Sequence, residues 1–340
     1  MPISIMAVAG AVLAALLLAD VLSAALRPLA LRRGFTDRPD LHKKVHARPT
    51  PYLGGIAIAV GTLLPASALV PHWDVRIGVV IVASAAVALL GLVDDIKPLD
   101  PRTRLLVEGC AATAVVLVGG RIAVAGNWVD PVLTVVWIVV LTNSFNLLDN
   151  MDGAASTVGF VTAGFLAGVA YLAGQAGLTL LLLALSAGCL GFLIHNWVPA
   201  RMFMGDAGSL FIGFVISSTA VLIHVPSGGV ARAAELLLVT FIATVDTCLV
   251  LISRRRAGRS WSTGGTDHVS HRLRRLGWST GQVTMTFFVC TAASCLCGVL
   301  VVEEHLSGLR TLTGALTIAA TLIWLLLKVS AYALPDKSPS

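Results

Sequence analysis

Long apolar stretches alternate with short polar segments along the chain, at 3–26, 54–71, 77–93, 105–120, 131–149, 154–173, 177–194, 209–224, 234–252, 281–302 and 309–328. A helix crosses the hydrocarbon of a bilayer with about 20 apolar residues, so the pattern predicts about eleven transmembrane helices. Barrel strands are shorter, roughly ten residues of alternating polarity, and these runs are continuously apolar, which argues against a barrel. The predicted fold is an all-α polytopic membrane protein in a single integral membrane domain, 1–340. Composition agrees: 56% hydrophobic against 12% charged residues is more apolar surface than one soluble core can bury.

Charge then sets the orientation. With the N-terminus outside, only Arg76, Arg121, Arg232 and Arg310 of the 24 Lys and Arg residues fall on outer segments, and the rest lie inside, which also puts the C-terminus in the cytoplasm. The first stretch has no basic leader and carries Asp20, so it reads as a retained anchor. Cys110, Cys189, Cys248, Cys290, Cys295 and Cys297 all fall in predicted helices and read as small packing residues. The outer connections are short and plain. The loops at 32–53 and 254–280 and the segments around Asp94, 146–153 and 195–208 all land on the inner face.

Those inner segments hold acidic and amide groups that a membrane chain normally avoids: Asp94, Asp95, Asn146, Asp149, Asp152 and Asp206. In GLVDDIKPLDPRTRLLVE two carboxylates are adjacent. Unit charges ~4 Å apart at an effective dielectric near 20 repel by about 4 kcal/mol, so a cation or a separation of the side chains has to relieve them. Neighbours on a helix point about 100° apart, which leaves one free as a base while the other orients a metal or a lysine; a helix cap or solvated pair is the plain alternative. In TNSFNLLDNMDG, Asn143, Asn146, Asp149 and Asp152 recur every third residue, a stripe that converges only if the helix breaks, as Asn150 and Gly153 permit. Turn residues at a helix end are the plain reading there. HNWVPARMFMGDAGSLFIG sets Asp206 between two glycines at a helix start, where free N–H groups favour an anion and a carboxylate suits a Mg²⁺ that bridges diphosphate oxygens; a capping aspartate explains the same pattern. RRRAGRSWSTGGTDHVSHRLRRLG carries seven arginines with His268 and His271 one turn apart, read as phosphate contacts by His268, His271 and Arg272 or as a positive-inside anchor. Lys43, Lys44 and His46 form a second basic cluster in the 32–53 loop, and Asp246, inside an apolar stretch, calls for a partner within the bundle.

Five ordered motifs, DRPDLHKKVHARPTPYLGG, VDDIKPL, NSFNLLDNMDG, NWVPARMFMGDAGS and TDHVSHRL, span Asp37 to Leu273. In that order the chain resembles the polyprenyl-phosphate N-acetylhexosamine-1-phosphate transferases, of the undecaprenyl-phosphate GlcNAc-1-phosphate transferase type, in the superfamily of the phospho-MurNAc-pentapeptide translocases. The resemblance implies transfer of a sugar 1-phosphate from a UDP-N-acetylhexosamine to a polyprenyl phosphate lipid, releasing UMP, at the cytoplasmic face of a bacterial plasma membrane. It implies Mg²⁺, with Mn²⁺ as a substitute, on Asp206 and Asn146. Asp94 or Asp95 would deprotonate or position the lipid phosphate, with Asp149 and Asp152 completing the acidic set. Lys44, His46, Arg104, Asn143, His268, His271 and Arg272 would bind substrate, and Phe203 would stack on uracil. A homodimer is compatible with it and a nucleic-acid partner is not expected. Arg104, Glu108 and Ser270 depart from a lysine, a glutamine and a histidine frequent in the family. The pentapeptide-transferase specificity is one alternative, and a cation-coupled transporter is another, though the latter expects mid-bilayer acids and internal repeats.

Overall fold

The computed structural model describes residues 4–37, 50–70, 73–224, 228–261 and 264–331. The order of elements is α1 (Ile5–Arg33), β1 (Thr36–Asp37), β2 (Thr50–Pro51), α2 (Gly54–Leu69), α3 (Val75–Ile96), α4 (Pro101–Leu117), α5 (Val129–Leu148), α6 (Ala154–Leu172) and α7 (Ala176–Asn196). It continues with α8 (Gly205–Leu222), α9 (Gly229–Val239), α10 (Phe241–Arg256), α11 (Val269–Arg275), α12 (Thr280–Val302) and α13 (Gly308–Leu327). The two short strands pair antiparallel, Thr36 opposite Pro51, and tie the end of α1 to the start of α2.

Each of the eleven apolar stretches holds a helix, but only eight helices among the described residues are long and apolar enough to cross a membrane, nine when α9 and α10 count as one span bent by 80°. α2 falls short on length, with 16 residues. α4 spends its first half on Arg102, Arg104 and Glu108, which leaves too short an apolar run. The predicted count of eleven is therefore met by helices and not by full-length spans.

Apolar patterning explains the layers. α8 is buried on every side from Ala207 to Leu222, as a helix with no polar face should be at the centre of a bundle. α1, α12 and α13 keep few buried positions and turn apolar faces outward, as lipid-facing helices do. Small residues let the central helices approach: a Cβ on Gly55 would stand 2.1 Å from the Gly208 nitrogen, and one on Gly91 would stand 2.4 Å from the Asp206 carbonyl oxygen.

The helix ends sort into two faces. At one, the Arg121 N–H donates to the Val221 carbonyl, the Gly229 N–H donates to Ala123, and Arg232 Nη2 donates to the carbonyls of Ala220 and Ile223 at the C-terminus of α8. Asp206, at the other end of α8, marks the opposite face, and Asp94, Asp95 and Asn146 meet it there. Arg121 and Arg232 thus lie at one end of α8, and Asp206 with the acids that meet it lies at the other. Asp20 of α1 pairs with His195 of α7 at 2.7 Å, which gives that intramembrane acid its partner.

Candidate active site

The N-terminus of α8 organises the acid-bearing end. Its first N–H groups have no partner inside the helix, and the Asp95 carboxylate supplies one from α3: Oδ1 accepts from Asp206 N–H at 2.8 Å and Oδ2 from Ala207 N–H at 3.1 Å. Asp95 is therefore a helix cap, but of a helix more than a hundred residues away. Free N–H groups for a substrate anion, expected at this helix start, are not available at those two positions because Asp95 takes them. Gly205 makes the contact possible, with φ +68° and a Cβ that would lie 2.5 Å from Asp95 Oδ2.

Asp94 points to a different job, as neighbouring helical positions require. Its Oδ1 accepts from the Leu99 N–H at 2.6 Å and its Oδ2 from Arg104 Nη1 at 2.6 Å. The same Arg104 nitrogen donates to Asp206 Oδ2 at 3.0 Å, and Asn146 Nδ2 donates to Asp206 Oδ1 at 2.8 Å. So α3, α4, α5 and α8 converge on one carboxylate. One turn along from Arg104 and Asn146, Asn143 donates to the buried Glu108. In the sequence Glu108 stands out only as a departure from the family; its place beneath Arg104 on the same face of α4 follows from their spacing of four residues.

The NSFNLLDNMDG stripe breaks where it must to converge. α5 ends at Leu148, Asn150 Nδ2 donates back to the Leu147 carbonyl, and Gly153 turns the chain with φ +74° into α6. Asp149 then faces Asp206, Asp95 and Asp152, and among the described residues its carboxylate has no hydrogen bond or ion pair. Asp152 goes elsewhere: its Oδ2 accepts from the Ala200 N–H at 2.9 Å, fastening the 197–204 loop that leads to Asp206. In that loop the half-buried Phe203 donates its N–H to Pro51 and accepts from Gly54, so the root of the 32–53 loop lies against the start of α8. Lys44 and His46 lie outside the described residues.

Oxygen donors dominate the cluster: the carboxylates of Asp206 and Asp149 and the amide of Asn146. Among the described residues no three His, Cys, Asp or Glu side chains form a ready metal cage. Mg²⁺ is usually held by one or two protein carboxylates with substrate phosphates and water, and this hard, acid-rich donor set fits that ion. Asn146 turns its nitrogen toward Asp206, whereas a cation would take the amide oxygen.

The histidine segment is clipped to the same end of the bundle. Asp246, the isolated acid of α10, accepts from Val269 N–H at 2.7 Å through Oδ1, and its Oδ2 is hydrogen-bonded to His268 Nδ1 at 2.8 Å. The expected partner of Asp246 is thus the N-cap of α11. Ser270, where the family often has a histidine, is fully buried and donates to Asn150 Oδ1, joining α11 to the turn that carries Asp149. His271 is half-buried, its ring centroid 6.1 Å from that of His268. Burial first, and then His268 beside it, push His271 down to about 4, so at neutral pH its ring is uncharged and offers hydrogen bonds without a positive charge.

Arg272 does not fit the phosphate role expected of it. It is buried and donates to the carbonyls of Asp267, Leu326 and Val329 and to Ser253 Oγ. The C-terminal carbonyls of α13 need donors, and a buried guanidinium with five N–H groups meets that need. Arg254 is spent in the same way, on Asp267 at 3.0 Å and the Trp261 carbonyl, and Arg275 donates to Thr266 Oγ1 and the Ser330 carbonyl, so these arginines hold the loop in place. Asp267, fully buried, is an acid that sequence reasoning misses; its signal is a lone negative charge in the basic loop.

A sequence profile of glycosyl transferase family 4 matches residues 77–224, the interval that contains every acid converging on α8. Over 318 residues the chain is 38% identical to a Streptomyces coelicolor protein named as a glycosyltransferase, an alignment covering 92% of this chain and 74% of that relative. The chain belongs to glycosyl transferase family 4. It is also 28% identical over 289 residues to a Bacillus subtilis protein named as an undecaprenyl-phosphate N-acetylglucosaminyl 1-phosphate transferase, covering 82% of this chain and 80% of the relative. A Moorella thermoacetica phospho-N-acetylmuramoyl-pentapeptide-transferase is 30% identical over 296 residues, 79% of this chain and 89% of the relative. The resemblance read from the five motifs is borne out, and the chain takes its place among membrane-embedded glycosyl transferases.

Proposed function

We propose that this family 4 protein transfers N-acetylhexosamine 1-phosphate, with GlcNAc as the sugar, from a UDP-sugar to undecaprenyl or another polyprenyl phosphate. An oxygen of the lipid phosphate attacks the sugar-bearing phosphorus of the nucleotide; the new P–O–P bond forms as the bond to the bridging oxygen breaks, and that oxygen leaves with UMP. The observation that carries this reading is the convergence of Arg104 and Asn146 on Asp206, next to the unpaired Asp149, at one end of an apolar bundle. Such a site meets a soluble nucleotide and a lipid phosphate at the membrane boundary, here assigned to the cytoplasmic side because most basic residues fall there.

The side chains divide the work. Asp95 holds the start of α8, and through it Asp206, in place. Asp94 holds Arg104, which is oriented to meet a phosphate. Asp149, with no partner among the described residues, accepts the proton of the attacking phosphate. His268 and His271 present imidazole groups to the substrate phosphates, and Phe203 lies beside the base. A Mg²⁺ or Mn²⁺ ion on Asp206 and Asn146 would supply Lewis-acid stabilisation of the diphosphate oxygens.

The B. subtilis and M. thermoacetica relatives carry names with different sugars, so specificity is the open comparison. With undecaprenyl phosphate and Mg²⁺, the purified protein is expected to release UMP from UDP-GlcNAc at least about tenfold faster, in kcat/KM, than from UDP-MurNAc-pentapeptide. Preference for the pentapeptide would move the chain to the translocase specificity. Proton-coupled uptake without UMP release would support the transporter instead.

A further inference from the structure

We infer that Arg104 is a built-in counter-ion that occupies the cation subsite of this protein until a diphosphate arrives, so that metal and nucleotide bind together and the metal alone binds weakly. The inference rests on the phosphotransferase reading above and concerns the order in which its site is filled.

One nitrogen carries the argument. Arg104 Nη1 lies 2.6 Å from Asp94 Oδ2 and 3.0 Å from Asp206 Oδ2, so a single N–H-bearing atom bridges two carboxylates from different helices. The other oxygen of each is also held, by the Leu99 N–H on Asp94 and by Asn146 Nδ2 on Asp206. A dication approaching Asp206 therefore meets a guanidinium already on that carboxylate, and the two positive charges repel at close range.

The placement of Arg104 runs against ordinary helix electrostatics. α4 opens on Asp100, whose side chain caps Arg102 N–H, with Pro101 at its first position, and Arg104 sits in the first turn. A cation there works against the helix dipole, which favours acids at an N-terminus. What holds the arginine at that position is the pair of acids opposite it. Its side chain remains one-fifth exposed, which leaves a path by which it can swing off Asp206. A diphosphate brings the negative charge that takes both the released guanidinium and the incoming cation. Metal and nucleotide then favour one another's binding, and linkage makes the effect reciprocal.

The test is Mn²⁺ binding to the full-length protein in detergent without nucleotide, read from the loss of the free-ion electron paramagnetic resonance signal. Arg104→Gln is expected to bind Mn²⁺ about tenfold more tightly than the wild type, a coupling of ordinary size. Arg102→Gln removes the same charge two residues away at an exposed position and is expected to change affinity by less than about twofold. Adding Asp206→Asn to Arg104→Gln should abolish the gain. Equal or weaker Mn²⁺ binding by Arg104→Gln, an equal gain in Arg102→Gln, or a gain that survives Asp206→Asn would each overturn the inference. If Arg104→Gln does not elute from size exclusion as one species, Arg104→Met carries the same expectation. Absence of UMP release by the wild type would sink the transferase reading without touching these binding results, which read the cation subsite alone.

Discussion

Asp206→Asn is expected to lower kcat by about 10³-fold, the size of effect seen when a preorganised electrostatic group is lost, with the protein still folded and inserted. Two losses coincide in this change. Arg104 and Asn146 both donate to the Asp206 carboxylate, so the amide loses the charge that holds the guanidinium and presents a donor where Asn146 already donates. The cation subsite loses its central ligand as well. Asp206 lies at the start of the most buried helix, but its side chain is 30% exposed, so folding should tolerate the isosteric change. Steady-state UMP release and the size-exclusion profile check both halves. Activity within tenfold of the wild type would remove Asp206 from the centre of the site.

Gly205→Ala should be nearly as damaging for a different reason. Alanine at φ +68° costs about 1–2 kcal/mol in backbone strain. Its methyl carbon would also stand 2.5 Å from Asp95 Oδ2 and 2.8 Å from Oδ1, inside any tolerable contact. Asp95 has to leave the N–H groups of Asp206 and Ala207, and the start of α8 shifts with it. A displacement of about 1 Å at a reacting centre can cost on the order of 10²-fold, which is the loss expected in kcat. Gly258 provides the control, since it has φ +64° but open space where an alanine methyl would stand, so Gly258→Ala should carry the strain and leave kcat alone. Equal losses from both substitutions would show that backbone strain, not the Asp95 contact, explains the effect.

Much of this arrangement is legible from residue order. Apolar runs of helical length locate the long helices, and counting crossings brings the acid-bearing segments to one end of the bundle, because each crossing reverses the chain. The break after Leu148 is legible too, since Asn150 and Gly153 are residues that stop helices. The division of labour between Asp94 and Asp95 is not. Adjacent acids look alike in sequence, and which one caps α8 depends on the register with which α3 packs against it, set by Gly91 touching the Asp206 backbone. Arg272 misleads for a similar reason: a basic loop reads as phosphate-binding, and only the third dimension shows the α13 carbonyls that consume its donors. The 80° bend between α9 and α10 falls at Thr240 with neither proline nor glycine beside it, and so leaves no trace in the residues.

The most direct measurement follows the phosphorus. The wild-type protein, in detergent with Mg²⁺, undecaprenyl phosphate and UDP-GlcNAc labelled at the sugar-bearing phosphate, should move the label into the organic-extractable lipid and release UMP in equal amount. Release of UDP with the label still in the aqueous phase would mean transfer of the sugar without its phosphate, and would contradict the account.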